Sequence, residues 1–372
     1  MALRDNFCEV DVLVVGAGPA GATAALNLAP TRRVALVDAQ TQSGPGIAES
    51  LPPAARRLLA DMGLWERFQL ERHSPCYGNR TTWGSPHAVE TDFLCDLDGH
   101  GWHINRARFD VWLRNMAVER GAFLLAPAEL DSIAWDKDDD RWHARIQSTE
   151  GSVELIAGVA VDAGGRAAPI GRSQGAHRER GDRLVCSWVC GKAKPTGLGA
   201  GFTHVEAAED GWWYAAPAPG GRRVLAFHTD SDLTGARLIA DPKNLLERAA
   251  ANSELAGILS ESGFNIEHSG FRAAHSARLQ PMAGPAWFAA GDAACSFDPL
   301  SSQGLLNALY SGLAAAEAAD RQLSGNNDAL PEYLLAMNQV YEVYRQRLRH
   351  WYAAETRWSD QPFWQRRQAG AS

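Results

Sequence analysis

Lysine is nearly missing from this chain: Lys137, Lys192, Lys194 and Lys243 are the only four, and arginine carries the rest of the positive charge. The formal net charge is −8, which argues against a nucleic-acid binder that works through an overall basic field. Scarce lysine also restricts any mechanism that needs a catalytic ammonium. Cysteine occurs six times, at 8, 76, 95, 186, 190 and 295, without a C-x-x-C pair. The Cys186/Cys190 spacing has no nearby partner ligands and makes a poor zinc signal. The eleven histidines lack H-x-x-x-H spacing, so no metal is expected. No basic leader precedes the apolar stretch from Val10 to Ala29, and that stretch is interrupted by Asp11, three glycines and Pro19. It fits neither a secretory signal nor a bilayer span, so a cytoplasmic protein with reduced thiols and no membrane partner is expected. Neither repeats nor low-complexity tracts occur. What remains is an ordinary globular composition, 45% apolar and 22% charged over 372 residues. At about 150 residues per domain that is two or three domains' worth of chain, or one interleaved unit.

The first forty residues carry the strongest local pattern. Val10–Val15 is a short apolar run of the kind buried on both faces of a parallel sheet. Gly16-Ala17-Gly18-Pro19-Ala20-Gly21 follows, then a helix over Ala22–Ala29 and a second strand over Arg33–Asp38. Strand, G-x-G-x-x-G turn, helix and strand, with an acid 22 residues after Gly16, form a dinucleotide-binding pattern. The first glycine allows the tight turn, the second lets backbone N–H groups approach a pyrophosphate, and the third lets helix and strand pack closely. The helix N-terminus then faces the phosphates. Asp38 is placed to accept from ribose hydroxyls, and its charge would repel a 2′-phosphate.

Farther along, Ile47–Pro53 leads into a helix over Ala54–Met62. Residues 80–103 read as loops and short strands. Asn105–Arg120 is an amphipathic helix with Phe109, Leu113, Met116 and Ala117 on its apolar face. Short strands follow, and Val159-Ala160-Val161-Asp162 runs into Gly164-Gly165. Residues 166–183 read as an arginine-rich loop, and Leu184–Thr229 as antiparallel aromatic strands. Two short helices are expected over 243–262. Trp287–Asp292 is another strand ending in an acid. Leu305–Leu323 and Pro331–Trp358 are long helices, the second with an aromatic stripe at Tyr333, Tyr341, Tyr344, Trp351 and Tyr352.

Three nucleotide-type signals in this order, at Gly16, at Asp162 before Gly164, and at Gly291-Asp292, resemble the FAD-dependent monooxygenase superfamily that includes aromatic hydroxylases and tryptophan halogenases. The most specific segment is Gly291-Asp292-Ala293-Ala294-Cys295-Ser296-Phe297-Asp298-Pro299-Leu300-Ser301-Ser302-Gln303-Gly304. The resemblance implies an α/β fold, with a Rossmann-type FAD-binding domain interleaved with a mainly antiparallel β substrate domain, plus C-terminal helices. It implies FAD-binding parts at 1–80, 101–168 and 279–325, substrate-domain parts at 81–100 and 169–278, and a helical segment at 326–372. It also implies FAD as cofactor, held by Gly16, Ala17, Gly18, Pro19, Ala20, Gly21, Asp38, Ala39, Glu49, Ser50, Arg106, Asp162, Gly164, Gly291, Asp292, Pro299, Gln303, Gly304 and Leu305. A helix N-terminus at the pyrimidine edge suits an anionic reduced flavin.

Tryptophan halogenases of this superfamily carry a lysine after the Glu-Ser segment and a glutamate in the Asp-Pro turn. This sequence has His73–Arg80 without lysine in the first place and Ser301 in the second, which disfavours halogenation. The combination of Glu49-Ser50-Leu51-Pro52-Pro53, Gly101-Trp102-His103, Arg106-Ala107-Arg108-Phe109-Asp110, Gly211-Trp212-Trp213-Tyr214 and Asp298–Gly304 is similar to a narrower branch. Its members are the flavoproteins that mature cysteine tryptophylquinone in amine and amino-acid oxidases and dehydrogenases. The branch implies a monooxygenase that uses NADH or NADPH, directly or through a flavin reductase, and hydroxylates tryptophan in a precursor polypeptide. Trp83, Trp212, Trp213 and Tyr214 are the candidate aromatic box, and His103 is the candidate base. Arg172, Arg178 and Arg180 are a candidate edge for an acidic partner. A hydroxylase of a small free aromatic and a non-catalytic flavin-bound maturation partner remain as alternatives.

Overall fold

A computed structural model of the protein describes residues 7–41, 49–93, 96–193, 201–252, 255–257, 259 and 264–369. Ile47, Ala48, Cys95, Lys194 and much of the second helix expected before residue 262 lie outside them.

The apolar run near the N-terminus becomes the strand Phe7–Val15, paired in parallel with Val34–Val37 on one side and Gly151–Asp162 on the other. Val12, Leu13 and Val14 are fully buried, because helices cover both faces of a parallel sheet. Phe123–Leu125 and Trp287–Ala289 extend the same sheet in parallel on its two sides. The hairpin of Ala128–Asp136 and Arg141–Ser148 is attached antiparallel to the long strand Gly151–Asp162, so the strands preceding Val161 are longer than the sequence pattern suggests.

Helix Pro19–Leu28 starts at the glycine turn and packs between this sheet and two further helices, Arg106–Glu119 and Gly304–Leu323. Asn105 caps the first of these by accepting from the Arg108 N–H, the expected use of an amide side chain at that position. Its predicted apolar face, Phe109, Leu113, Met116 and Ala117, is buried.

The second layer is a seven-stranded sheet in the order Asn265–Ala273, Leu184–Lys192, Arg222–Asp230, Gly211–Ala218, Phe202–Ala208, Gly78–Thr82, Val89–Asp92. All its pairings are antiparallel except Phe202–Ala208 with Gly78–Thr82. One of its faces packs against the C-terminal helices Ala329–Ala354 and Pro362–Gln368 through Tyr352, Phe363 and Trp364. The aromatic stripe on the longer of these helices is packing: Tyr333, Tyr341, Tyr344 and Tyr352 are buried and only Trp351 is exposed.

The segment 166–183 departs from the expected loop. It forms a short helix, Pro169–Ser173, and a strand, His177–Arg180, paired with Ala277–Gln280. Alternation is too short there to signal a strand; its partner, nearly a hundred residues later, supplies the ladder. Among the described residues no helix is long and apolar enough to cross a membrane.

Candidate functional site

A cleft of about 370 Å³ opens where the N-termini of two helices meet the second sheet. Gly18, Pro19 and Ala20 line one end of it. Gly16 has φ +97°, and a Cβ there would overlap the Ala163 carbonyl; a Cβ on Gly21 would overlap the Gly16 carbonyl oxygen. These two glycines are demanded by the protein itself. Gly18 differs: a Cβ on it would meet no protein atom within 4 Å. It is the N-cap of Pro19–Leu28 and supplies no side-chain cap, so the free N–H groups of the first helical turn face open space. That cradle fits a pyrophosphate.

Asp38 accepts from the Ala17 N–H at 2.5 Å and the Gln40 N–H at 2.7 Å, and pairs with Arg114 at 3.3 Å. Arg114 is itself buried and holds the carbonyls of Ala17, Gln40 and Thr41. The acid therefore shapes the loop beside the turn, and it is not itself among the cleft-lining residues. Ala39 is exposed and is not among the cleft-lining residues.

Glu49, Ser50 and Arg106 line the opposite wall. Arg106 is fixed between Glu49 and Asp110, with its Nε 3.0 Å from the Asp110 carboxylate. The ion pairs aim one guanidinium at the cleft from the start of its helix. Asp292 lines the cleft with a side chain 49% exposed, and Arg166 Nε stands 3.5 Å from it. Gly291 beside it has φ +60°, and its N–H donates to Ser311.

Asp162 is placed differently from the expectation. It is fully buried, and its carboxylate accepts from the N–H groups of Gly164, Ile170 and Gly171 at 3.1, 2.8 and 2.9 Å. It caps the short helix Pro169–Ser173 and ties the glycine turn. Its neighbours Ala163 and Gly165 line the cleft, whereas Asp162 and Gly164 do not.

The far end of the cleft is formed by Phe297, Asp298, Pro299 and Ser302, then Gly304 and Leu305 at the start of the helix Gly304–Leu323. That helix also lacks a side-chain cap, and a Cβ on Gly304 would meet nothing within 4 Å. Its N-terminus offers the partial positive charge that a reduced flavin ring would need. Gln303 is its N-cap and is not among the lining residues. Asp298 accepts from the Leu300 N–H at 2.9 Å and from the Tyr352 hydroxyl at 2.7 Å. Burial, reinforced by Asp182, pushes its pKa up to about 7. Ser301 donates to the Asp298 carbonyl at 2.8 Å, a turn-closing bond.

The aromatic box is only partly assembled. Tyr214 lines the cleft. Trp212 lies behind it, stacked on His228 with ring centroids 3.7 Å apart and planes at 5°, and its Nε1 donates to the Tyr352 hydroxyl at 3.2 Å. Trp213 points through the sheet to the opposite face, against Phe227, because successive strand residues alternate. Trp83 is displaced to the C-terminal helices, where its Nε1 donates to the Trp351 carbonyl at 2.7 Å and its ring meets Tyr352 and Trp364 edge-on.

His103 is not a cleft residue either. It lies in the strand Gly101–Ile104, 1% exposed, with Nε2 at 3.4 Å from the Gly201 carbonyl. Burial lowers its pKa to about 4, so it is a neutral packing group. The imidazole that does line the cleft is His228, which the sequence reading missed. It stands directly opposite Trp212 in the antiparallel ladder. Neither of its ring nitrogens has a hydrogen-bond partner, although it is 1% exposed. Burial drives its pKa down to about 3; the Trp212 main chain opposes that shift without reaching hydrogen-bond geometry. No sequence signal singles out His228, since its role depends on the pairing register.

The candidate docking arginines also divide. Arg178 turns inward and donates to the carbonyls of Asp292 and Ala293, both at 3.0 Å, which makes it a support of the cleft. Arg172 and Arg180 are exposed. An exposed group of possible metal ligands, Asp136, Asp139 and His143, sits at the hairpin tip, separate from the cleft lining.

A sequence-family profile described as an FAD binding domain matches residues 9–315. LodB of Marinomonas mediterranea, assigned as an FAD-dependent oxidoreductase, is 29% identical over 96% of this chain and 97% of its own length. Among solved structures, the myxobacterial chondrochloren halogenase CndH superposes with a TM-score of 0.88 at 23% identity, over 96% of this chain and 86% of that one. The peptidyl tryptophan dihydroxylase QhpG, which is essential for tryptophylquinone cofactor biogenesis, gives a TM-score of 0.77 at 24% identity, over 97% and 79%. Flavin-dependent halogenases recur among both the sequence relatives and the structures.

Proposed function

We propose, from the premise that this chain belongs to the FAD binding domain family, that it is a monooxygenase acting on a tryptophan held in a partner polypeptide, in the maturation of a cysteine tryptophylquinone cofactor. The observation that carries the reading is the far end of the cleft. Tyr214, His228, Phe297 and Asp298 line it, and among the described residues no lysine does. Where the resemblance to tryptophan halogenases implies a glutamate in the Asp-Pro turn, this chain has Ser301, whose hydroxyl is occupied with the Asp298 carbonyl. An electron-rich ring fits such a wall, and the lysine and glutamate of tryptophan halogenases do not stand at the matching positions, His73–Arg80 and Ser301.

Gly18 and the first turn of Pro19–Leu28 would hold the pyrophosphate of FAD, Asp292 and Asp38 its hydroxyls, and Glu49 with Arg106 the region between. The helix starting at Gly304 would face the ring. Bound and reduced, FAD would activate dioxygen, one atom of which goes to the indole while the other leaves as water. The electrons come from NADH or NADPH, directly or through a separate flavin reductase. The protein's part is to orient the indole and exclude water. Indole carbon is already nucleophilic, so orientation is the larger need, and positioning alone is worth several kcal/mol of barrier. QhpG is named for a peptidyl tryptophan substrate, and the relatives that brominate or chlorinate pyrrole act on a group borne by a peptidyl-carrier protein. Both support a polypeptide-borne substrate for this architecture.

The test is consumption of NADH or NADPH by FAD-loaded protein with a flavin reductase present. A tryptophan-bearing precursor polypeptide from the same gene neighbourhood should stimulate it, and free tryptophan should barely do so. Efficient coupled hydroxylation of free tryptophan, with no response to polypeptide, would assign the chain to the small-aromatic hydroxylases instead.

A further inference from the structure

A second cavity, of about 460 Å³, lies behind the flavin end of the cleft, and Asp298 lines both. Tyr352 lines the second cavity and holds the Asp298 carboxylate at 2.7 Å. Gly181, Arg345 and Arg349 line this cavity and also a further outer one of about 250 Å³. The two cavities are therefore neighbours along one path. One wall is a stripe of the helix Ala329–Ala354: Tyr341, Arg345, Leu348, Arg349 and Tyr352 recur at the three-to-four-residue spacing of one helical face. The other wall is the turn from Glu179 to Arg183. The result is a groove that starts at the surface beside Arg180 and ends at Asp298.

Its charge is unbalanced. Arg183, Arg366 and Arg367 are paired with Asp230 or Asp232, and Glu179 and Glu342 are both paired with Arg278. Arg180, Arg345 and Arg349 line the groove without an ion-pair partner among the described residues. Asp182 adds one acid, but its carboxylate accepts from the Leu184 and Ser276 N–H groups. Arg345 meets the Tyr341 hydroxyl, but no carboxylate neutralises these three guanidinium groups among the described residues, and a groove so lined favours an extended acidic ligand through charge complementarity.

We propose that this groove, between the helix face Tyr341–Tyr352 and the turn Glu179–Arg183, docks an acidic polypeptide segment and leads its tryptophan to the cleft at Asp298. The proposal rests on the reading of a polypeptide substrate, yet it can be tested separately. Arg180 keeps the docking role expected from the sequence, joined by Arg345 and Arg349 in place of Arg172 and Arg178.

The experiment is fluorescence anisotropy with FAD-loaded protein and a short labelled peptide carrying one tryptophan flanked by glutamates. The same peptide with glutamine for glutamate, a glutamate peptide with alanine for tryptophan, and free glutarate serve as controls. The glutamate peptides should bind in a salt-sensitive way with or without tryptophan. The glutamine peptide, and the double variant Arg345→Gln/Arg349→Gln, should each weaken binding about tenfold, the order expected of two partly exposed ion pairs. FAD content should be unchanged, and Arg172→Gln should bind as the parent does. Equal binding of the glutamine peptide, insensitivity to the double variant, or competition by glutarate as strong as by the peptide would overturn the groove. Oxygenation of a precursor at the parent rate by the double variant would overturn the groove while leaving the proposed function standing. Groove binding that the variant abolishes, with no oxygenated product from any polypeptide, would uphold the groove and remove the proposed function.

Discussion

Two glycines of the phosphate turn should fail differently, one in FAD affinity alone and the other in stability as well. Gly18 has φ −69° and ψ −175°, a region alanine adopts freely, and a Cβ there would touch no protein atom within 4 Å. In Gly18→Ala, alanine is a somewhat poorer N-cap than glycine, while the unfolded chain loses about 0.4–1 kcal/mol of entropy that favours the fold. These terms nearly cancel, so the apoprotein should melt within a few degrees of the parent. The new methyl instead occupies the space where a pyrophosphate must approach the helix N-terminus. Losing one or two backbone contacts to a charged phosphate costs about 1.5–3 kcal/mol each, which is tenfold or more in FAD affinity. In Gly21→Ala the Cβ would overlap the Gly16 carbonyl oxygen and stand 3.0 Å from the Ala163 Cβ. Both obstacles belong to the packed strand–helix junction, so the backbone must shift, at about 3 kcal/mol or more. That variant should lose apoprotein stability as well as FAD. Thermal melts of flavin-free protein and FAD titrations followed by flavin fluorescence separate the two. Parent-like FAD affinity in Gly18→Ala would show that the open face of the turn is not a phosphate site, and a parent-like melt for Gly21→Ala would break the packing argument.

Asp292→Ala should weaken FAD while leaving the apoprotein melt near the parent's, because its side chain is half-exposed in the cleft. Asp162→Ala should do the reverse and destabilise the fold by about 3 kcal/mol or more, since three buried N–H groups lose their acceptor; flavin affinity and chemical denaturation of each variant decide it. His228 is held neutral in the fold to about pH 3, but in the unfolded chain it takes a proton below its ordinary value of 6.5. The neutral ring's contribution is therefore complete above pH 6.5 and is lost as the pH falls toward 3. Replacing it in His228→Phe should flatten the acid limb of stability against pH, and an unchanged slope in denaturant titrations would contradict its buried, unpartnered state. With chloride or bromide, reduced FAD and an indole substrate, only oxygenated or unchanged indole should appear by mass spectrometry, and a halogenated product would refute the reading of Ser301 and the missing lysine.

The parts of the fold legible beforehand are those set by local demands. The turn at Gly16–Gly21 needs its glycines for backbone approach, the strand Phe7–Val15 is apolar on both faces, and the helix after Asn105 has a cap and a stripe. The cleft residues contributed by such segments, Gly18, Arg106, Asp292 and Gly304, could be named from their neighbours in sequence. The residues misplaced by sequence reasoning depend on long-range register. Trp212, Trp213 and Tyr214 are consecutive, so alternation must send one of them through the sheet, but the pattern cannot say which face meets the cleft. His228 enters the site only because it pairs with Trp212 across the ladder. Asp162 ends a strand before two glycines, as a ligand-binding acid would, but the chain returns in the helix Pro169–Ser173 and claims its carboxylate for the backbone. Trp83 is drawn away by Tyr352 and Trp364, more than 260 residues distant in the chain. The aromatic count could not anticipate that, since a tryptophan serves a packed core as well as a cleft.

On the proposed reading, the cleft at Asp298 admits a polypeptide's tryptophan to an oxygen-transferring flavin. Mass spectrometry of a precursor polypeptide incubated with FAD-loaded protein, reductant and labelled dioxygen tests it most directly. One or two labelled oxygen atoms should appear on a single indole, dependent on FAD and on this chain. Unlabelled precursor alongside labelled free tryptophan in the same mixture would contradict it.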